Sequence, residues 1–244
     1  MKPEKGTLIR EGKAKILYET QPPSERVLQF FKDDATAFNA QKRGTIVGKG
    51  AINNQVTAWI FPYLEKRGIP THFIEKVSDR EMLVHKVQII PVEMVVRNKA
   101  AGGIVKRLGL PKGQAFNTPL VEFFYKSDEL GDPMISESHI FQFGWATRQE
   151  LDEMVRLTLA VNQHLIQVFK EIGLDLIDFK LEFGKNKQGK VLLADEFTPD
   201  GSRLWDLKTG ESMDKDRFRQ DLGKVEESYQ EVFERLKNFF ARNA

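Results

Sequence analysis

Residues 177–183 (IDFKLEF) alternate strictly between apolar and charged side chains. Successive side chains of a β-strand point to opposite faces, so the four apolar members of this run are expected to face a core. The other face then carries Asp178, Lys180 and Glu182 in line, about 7 Å apart along the strand. A solvated strand face can show the same alternation, so the interpretation depends on the strand that pairs with it.

The next segment predicts a partner strand that carries another carboxylate. Residues 186–189 (NKQG) are typical of a hairpin turn, and the alternating run 191–197 follows them. Folding back around this turn can set Asp195 beside Glu182. Two adjacent carboxylates on an apolar sheet repel each other unless a cation lies between them. A few oxygen ligands beside a lysine fit Mg²⁺ carrying phosphates better than zinc or calcium, so Glu182 and Asp195 are predicted metal ligands.

Charge and cysteine content exclude several classes of function. The net charge is only +2, from 37 basic and 35 acidic residues, which gives no reason to expect nucleic-acid binding. The 244 residues include no cysteine, which excludes disulfides, a thiolate nucleophile and a Cys-based zinc site. The charged start of the chain lacks the apolar core of a signal peptide, and no apolar run approaches the ~18 residues of a membrane span. We therefore expect a cytoplasmic protein with no membrane partner.

Hydrophobic periodicity predicts the helices. Residues 50–67 show a helical pattern that contains Pro62, where a kink or an earlier break is expected. A capping box at Thr147 opens a second helix that runs to Ile172. A third helix is predicted from Asp214 to about Arg242.

The order of these elements predicts an α+β protein. Several β segments, including a hairpin over residues 7–19, precede the first helix, and further strands mix with hairpins later in the chain. We predict a β-rich lobe over residues 1–88 that covers a nucleotide. Residues 89–244 are predicted to form a larger α+β lobe that carries the predicted Mg²⁺ and phosphate site and ends in a helix.

Residues 12–15 (GKAK) place Lys13 and Lys15 on one face of a predicted strand beside a glycine turn. Lysines in such a position can contact the phosphates of a nucleotide. A solvated strand face would show the same pattern. The glycine spacing matches neither a P-loop nor a dinucleotide-binding fingerprint.

Residues 97–107 (RNKAAGGIVKR) begin with Arg97 at the end of a predicted strand. Gly102 and Gly103 follow and are predicted to begin a short helix. Backbone N–H groups at such a start bind anions, and glycine lets the anion approach closely. A flexible loop with a basic surface cluster is the other interpretation. Residues 199–203 (PDGSR) form a turn directly after Asp195, which places Ser202 and Arg203 near the predicted metal.

Five motifs together resemble the SAICAR synthetase family. Residues 176–184 and 89–97, the latter running into 100–102, resemble the two signatures of this family. Residues 12–15, 128–133 and 195–203 also match, in the same order and spacing. The resemblance covers nearly the whole chain and implies an α+β fold related to protein kinases, with an ATP cleft. It also implies an ATP-dependent ligase that joins L-aspartate to carboxyaminoimidazole ribonucleotide in purine synthesis, and a homodimer or larger assembly.

The resemblance assigns roles to individual residues. It implies Mg²⁺ binding by Glu182 and Asp195, and a place near the reacting end of the substrate for Asp178 and Lys180. It further implies that ATP is bound by Lys13, Lys15 and Lys126. The residues implied to bind the ribonucleotide are Arg97, Gly102, Gly103, Ser202 and Arg203. Gly103 departs from the Ser or Thr that the family commonly has there, so we expect its backbone N–H to bind without a hydroxyl.

Two other functions would also explain some of these motifs. A kinase that phosphorylates a small polyol would need ATP and Mg²⁺ but no aspartate. The basic segment around Arg97 and the turn at residues 200–203 favour an anionic ribonucleotide instead. A non-catalytic nucleotide-binding protein would not need both Glu182 and Asp195.

Overall fold

The computed structural model describes residues 3–22, 24–37 and 42–243, and these form fourteen strands and six helices. The strands are β1 (Glu4–Glu11), β2 (Lys15–Gln21), β3 (Arg26–Phe31), β4 (Asp34–Ala37), β5 (Lys42–Thr45), β6 (Phe73–Lys76), β7 (Glu81–His85), β8 (Gln88–Ile89), β9 (Val92–Lys99), β10 (Ala115–Tyr125), β11 (Met134–Ile135), β12 (Leu174–Lys185), β13 (Val191–Ala194) and β14 (Ser202–Asp206). The helices are α1 (Lys49–Glu65), α2 (Gly103–Leu108), α3 (Glu137–Gln142), α4 (Arg148–Glu171), α5 (Asp216–Arg219) and α6 (Val225–Arg242).

The N-terminal sheet is antiparallel, with the strand order β1-β2-β3-β7-β6. The predicted hairpin is present, and the Gly12 N–H closes its turn by donating to the Lys15 carbonyl at 2.8 Å. Strand β2 begins only at Lys15, so the prediction that Lys13 lies on the strand is wrong. The backbone is still turning at Lys13, and the two lysines have different partners: Lys13 pairs with Asp128, whereas Lys15 pairs with Asp195 and Glu196.

The larger sheet has the order β11-β10-β9-β12-β13, and β8 and β14 also pair with β12. Along its first half β12 lies between β9 and β14, and along its second half between β8 and β13. The apolar members of the alternating run are buried, as the pattern predicts. Strand β12 is therefore the centre of the sheet, and its charged face lies among four neighbouring strands. The predicted α+β class is confirmed.

Helices α1 and α4 begin and end close to their predicted limits. The capping box of α4 is complete, since the Thr147 hydroxyl accepts from the Glu150 N–H and the Glu150 carboxylate accepts from the Thr147 N–H. Helix α1 is not broken at Pro62 but continues to Glu65. The Pro62 carbonyl still accepts a helical bond, from the Lys66 N–H at 3.1 Å, so only the donor that proline lacks is lost.

The prediction of one continuous C-terminal helix is wrong. Helices α5 and α6 are separated by residues 220–224, in which Asp221, Gly223 and Lys224 have φ angles of 54°, 68° and 50°. A right-handed helix cannot pass through left-handed residues. Leu222, which periodicity places on the buried face, is exposed as a result.

One large core joins the two parts of the chain. Apolar residues of α1, α4 and α6 pack with those of the larger sheet, and a smaller cluster lies under the N-terminal sheet. Helix α1 contacts β3, β6 and β7 of the N-terminal sheet as well as α6, and its apolar residues belong to the large core, so it joins the N-terminal sheet to that core. In the described part of the chain, no helix is long and apolar enough to span a membrane.

Candidate active site

Three charged side chains form a row across neighbouring strands of the larger sheet. Asp178 on β12 pairs in register with Arg97 on β9 and with Arg203 on β14, so the three side chains leave the sheet on the same face. Arg97 Nη1 donates to Asp178 Oδ2 at 2.5 Å, and Arg203 Nη1 donates to Oδ2 at 3.0 Å and to Oδ1 at 3.1 Å. The alternation of β12 thus places one carboxylate between two guanidinium groups.

Two further carboxylates hold the outer sides of these arginines. Arg97 Nε donates to Glu122 Oε2 at 2.7 Å, and Arg203 Nε donates to Asp216 Oδ2 at 2.8 Å. Burial raises the pKa of Asp178, and the positive charges of Arg203 and Arg97 oppose this effect. Each arginine is oriented from both sides, which leaves part of its donor fork for an anion.

Gly102 allows Arg203 to lie against the backbone that follows β9. Its φ angle is 61°, and a Cβ atom there would lie 2.6 Å from Arg203 Cζ. The carbonyl of Ala101 accepts from Arg97 Nη1 at 3.3 Å, and Gly103 begins α2 directly afterwards. The predicted strand, glycine pair and short helix are therefore present, and the structure brings them to Arg97 and Arg203.

Replacing Gly102 by Ala is expected to raise the KM for the anionic substrate by about tenfold or more. The backbone at φ 61° and ψ −132° costs an L-residue about 1–3 kcal/mol, and the added methyl group also displaces the Arg203 guanidinium. Initial rates at varied substrate concentration measure the change.

Gly109→Ala is the matched control for this substitution. Gly109 ends the same helix at a φ of 64°, but a Cβ atom there would meet no atom within 4 Å. It therefore tests a positive φ without contact with Arg203, although its ψ of 27° lies in the left-handed helical region, which an L-residue tolerates better than the ψ of −132° at Gly102. An equal rise of KM in both variants would contradict the role assigned to the close approach of Arg203.

Lysines and carboxylates form a second cluster further along β12. Lys180 Nζ donates to Glu93 Oε2 at 2.8 Å and to Glu182 Oε1 at 3.2 Å, while Lys126 Nζ donates to Glu182 Oε1 at 2.6 Å. Burial lowers the pKa of Lys180, but the charges of Glu182, Glu93 and Asp195 outweigh burial and hold this pKa well above its usual value. Lys180 is therefore a permanent cation at neutral pH.

Asp195 joins this cluster by leaving its strand. Glu182 pairs with Ala194, one residue before the partner expected from the sequence, and Asp195 follows the end of β13 with a φ of 62°. Lys15 donates to the carboxylates of Asp195 and Glu196. Burial raises the pKa of Asp195, but Lys15, Lys180 and Lys126 outweigh burial and hold it below its usual range. The charges of Lys126 and Lys180 thus act on both predicted metal ligands.

A buried histidine supports the backbone at Asp195. His72 Nε2 lies 3.0 Å from the Asp195 carbonyl oxygen, to which it donates. Burial and the charge of Lys15 lower the pKa of His72 to about 3, so the ring is neutral. His72 therefore adds a hydrogen bond, and no charge, beneath the carboxylate.

The donor set at Glu182 and Asp195 fits a magnesium ion that carries phosphates. Lysines occupy only Oε1 of Glu182 and Oδ1 of Asp195, which leaves one oxygen of each carboxylate without a hydrogen-bond donor among the described residues. Across the described ranges, no group of three or more His, Asp or Glu side chains could hold an ion. Mg²⁺ is commonly bound by one or two carboxylates, with phosphate oxygens and water completing its shell.

Two predicted site residues lie apart from these clusters. Lys13 is exposed in the turn before β2 and pairs with Asp128 at 2.7 Å. The Ser202 hydroxyl is buried and donates to the Thr198 carbonyl at 2.9 Å, so it closes the turn. The other predicted residues meet along β12, which places a pair of guanidinium groups beside a group of lysines and carboxylates.

Such an arrangement defines an ATP-dependent enzyme that acts on a phosphorylated, carboxylate-bearing substrate. A model of the SAICAR synthetase family matches residues 8–236, and the chain belongs to this family. It is accordingly an ATP-dependent ligase of purine biosynthesis.

Individual relatives agree with this assignment. The phosphoribosylaminoimidazole-succinocarboxamide synthase of Rhodospirillum centenum is 55% identical over 231 residues, which are 93% of this chain and 91% of that protein. The synthase of the same name from Magnetococcus marinus is 53% identical over 235 residues, covering 96% of this chain and 97% of that protein.

Solved structures are similar over nearly the same length. The crystal structure of the Ehrlichia chaffeensis synthase superposes with a TM-score of 0.92 at 47% identity, over 95% of this chain and 98% of that chain. A SAICAR synthetase in complex with ADP has a TM-score of 0.92 at 43% identity, with the same coverage.

Proposed function

We propose that this chain joins L-aspartate to the carboxylate of 5-amino-1-(5-phospho-D-ribosyl)imidazole-4-carboxylate, with release of ADP and phosphate. The observation that carries the proposal is strand β12. Along one face it places Asp178, held between two arginines, next to Lys180 and then Glu182. A phosphorylated carboxylate would bind at the arginines with its reacting end toward the lysines.

ATP would bind at the lysine end of this strand. Lys15 and Lys126 lie beside the two predicted metal ligands and would contact the phosphates, and Lys13 would reach them from the turn before β2. Glu182 and Asp195 would hold Mg²⁺, which neutralises charge on the phosphates when it is bound. The solved relative that contains ADP supports a nucleotide in this family.

The ribonucleotide would bind at the arginine end. Arg97 and Arg203 supply the bidentate donors that phosphate and carboxylate groups need. The exposed backbone at Gly102 and Gly103 would let the anion approach the N–H groups of α2. Ser202 would contribute indirectly, because its hydroxyl fixes the turn that carries Arg203.

Chemistry would proceed through an acyl phosphate. An oxygen of the substrate carboxylate attacks the γ-phosphorus, and the bond from this phosphorus to ADP breaks. The neutral amine of aspartate then attacks the carboxyl carbon, forms the amide, loses a proton and expels phosphate. Lys180 stays protonated and stabilises negative charge on the transferring group. Asp178 orients the arginines, and for it to act as the base that deprotonates the amine of aspartate, one guanidinium would have to turn toward substrate.

The proposed activity is tested by ADP release from Mg²⁺–ATP and the ribonucleotide, with and without L-aspartate. Aspartate-dependent turnover that yields the succinocarboxamide is the expected result. ADP release that ignores aspartate would instead favour the kinase alternative, in which a hydroxyl group accepts the phosphoryl group. With ¹⁸O in the substrate carboxylate, one label should appear in phosphate, and its absence would contradict the acyl phosphate.

Three further features belong to the same proposal. Residues 1–88 would form the part of the protein that covers the nucleotide, and residues 89–244 the part that binds substrate. The enzyme would work in the cytoplasm as a homodimer or larger assembly. Multi-angle light scattering of the purified protein measures its mass in solution, and a mass near the 28.0 kDa of one chain would contradict the assembly.

A further inference from the structure

Lys215 is a mostly buried lysine with an incomplete set of partners. Its side chain is 13% exposed, and its one ionic partner in the described ranges is Asp200, at 3.7 Å between Nζ and Oδ2. This distance is too long for a normal N–H···O hydrogen bond. An ammonium group has three donors, and burying it without acceptors is costly.

Asp200 cannot complete the contact, because other groups already hold it. Lys49 Nζ, which is fully buried, donates to Asp200 Oδ2 at 2.7 Å, and the Tyr229 hydroxyl donates to Oδ1. Burial raises the pKa of Asp200, but the charges of Lys215 and Lys49 outweigh burial and lower it. One carboxylate therefore serves two buried lysines, and Lys215 is the less well paired of them.

Lys215 lies beside the same turn as Lys180, the lysine at the proposed reacting end of the substrate. Its N–H donates to the Pro199 carbonyl at 3.3 Å, while the Lys180 N–H donates to the Gly201 carbonyl at 2.9 Å, so both lysines flank the turn at residues 199–201. Burial lowers the pKa of Lys215, Asp200 raises it, and the positive charges of Arg219, Lys49 and Lys180 lower it further. Among the described residues, Asp200 is the one carboxylate within ion-pair distance of Lys215, so the ammonium group keeps donors for an anion.

We propose that Lys215 binds a carboxylate of the incoming L-aspartate. The proposal rests on the proposed function, and it names a contact for the substrate whose amine must reach the carboxyl group near Lys180. The ribonucleotide already has Arg97 and Arg203, which pair in register with Asp178, two residues before Lys180 on β12. L-Aspartate carries two carboxylates next to its amine, so a cation beside the reacting end can hold one of them.

Steady-state kinetics of Lys215→Met test the contact. The KM for L-aspartate is expected to rise about 10- to 100-fold, as for loss of a hydrogen bond between charged groups. The KM values for ATP and the ribonucleotide should change less than twofold. Lys215→Arg keeps the charge and should recover a large part of the loss. Lys208→Met, at an exposed lysine in the turn after β14, is the matched control and should leave all three KM values unchanged.

Two analogues of aspartate identify the carboxylate. L-Alanine lacks the side-chain carboxylate, and β-alanine lacks the α-carboxylate. The wild-type enzyme should prefer aspartate over both. Lys215→Met should lose most of its preference over the analogue that lacks the carboxylate bound by Lys215, and should keep its preference over the other.

Chemical labelling tests the proposal in the wild-type protein without any substitution. With ATP analogue and ribonucleotide bound, L-aspartate should protect Lys215 from acetylation by acetic anhydride, as measured by peptide mass spectrometry, and Lys208 should remain reactive. Equal labelling of Lys215 with and without aspartate would overturn the proposal.

The kinetic outcomes separate this inference from the function on which it rests. A wild-type enzyme with aspartate-dependent turnover and an unchanged aspartate KM in Lys215→Met would overturn the inference alone. A rise confined to the KM of the ribonucleotide would also overturn it, since the anion would then belong to that substrate. A wild-type protein without aspartate-dependent ADP release would overturn the proposed function first.

Discussion

Asp195→Asn is expected to lower turnover by about 10³-fold, the effect of removing charge stabilisation from a transferring phosphoryl group. Asparagine keeps the shape and one carbonyl oxygen of the side chain but removes the negative charge that faces Lys15, Lys126 and Lys180. The site then gains net positive charge and loses a carboxylate oxygen that is proposed to bind Mg²⁺. Turnover at saturating substrates measures the effect.

Nucleotide binding provides an internal control for this variant. Mg²⁺ should strengthen ADP binding to the wild-type protein, and Asp195→Asn should lose most of that gain while its affinity for ADP in EDTA stays similar. Asp175→Asn is a matched substitution on β12, where Asp175 pairs with Lys99 at 2.5 Å at the far end of the strand. We expect near-normal turnover there. If Asp195→Asn kept both its turnover and its response to Mg²⁺, Asp195 would not be a metal ligand.

Lys49→Met is expected to cause the largest loss of stability, about 3–5 kcal/mol in the free energy of unfolding. Lys49 has no exposed surface, and its charge is matched by Asp200, which also accepts from the Tyr229 hydroxyl. Removing the ammonium leaves a buried carboxylate whose one remaining ionic partner among the described residues is Lys215, at 3.7 Å. For a chain of this length, such a loss lowers the melting temperature by roughly 6–20 °C.

Lys66→Met is the matched control for this variant. Lys66 lies at the end of the same helix, α1, but is exposed, so its replacement should change the free energy of unfolding by less than about 0.5 kcal/mol. Differential scanning calorimetry of both variants measures the difference. Melting temperatures that agreed within about 2 °C would show that the Lys49–Asp200 pair contributes little to stability.

The site residues that lie on regular strands could be predicted from the sequence. The alternation along β12 fixes which side chains share a face, so Asp178, Lys180 and Glu182 follow from local pattern alone. The same holds for Arg97 at the end of β9 and for the glycines that open α2. In each case the prediction needs only a repeat of two residues or the missing side chain of glycine.

The residues that were missed depend on contacts between distant parts of the chain. Glu122 and Asp216 orient the arginines, but neither stands in a recognisable motif, and Asp216 falls in a stretch that periodicity assigns to a long helix. The alternation of β10 places Glu122 on a face, but it cannot show which strand lies beside it. The register between β12 and β13 could not be predicted either: Glu182 pairs with Ala194, one residue before the predicted partner Asp195.

Left-handed residues account for a further group of differences. Asp195 has a positive φ, and the turn that follows α5 contains positive φ angles at Asp221 and Lys224. Non-glycine residues adopt this conformation only when surrounding contacts compensate for its cost. At Asp195 those contacts come from His72 and Lys15, which are far away in the sequence. Local sequence propensity therefore does not predict these positive φ angles.

The charged face of β12 would set the distance between the two proposed binding sites. Asp178 and Glu182 are four residues apart on one strand, which sets a span of about 13 Å between the arginine end and the metal end. Inserting or deleting one residue would turn every later side chain to the opposite face. The distance between the two ends of this face thus cannot be changed by one residue at a time. A change that accepts a longer or shorter substrate would have to arise in the turn at residues 199–203 or beside α2.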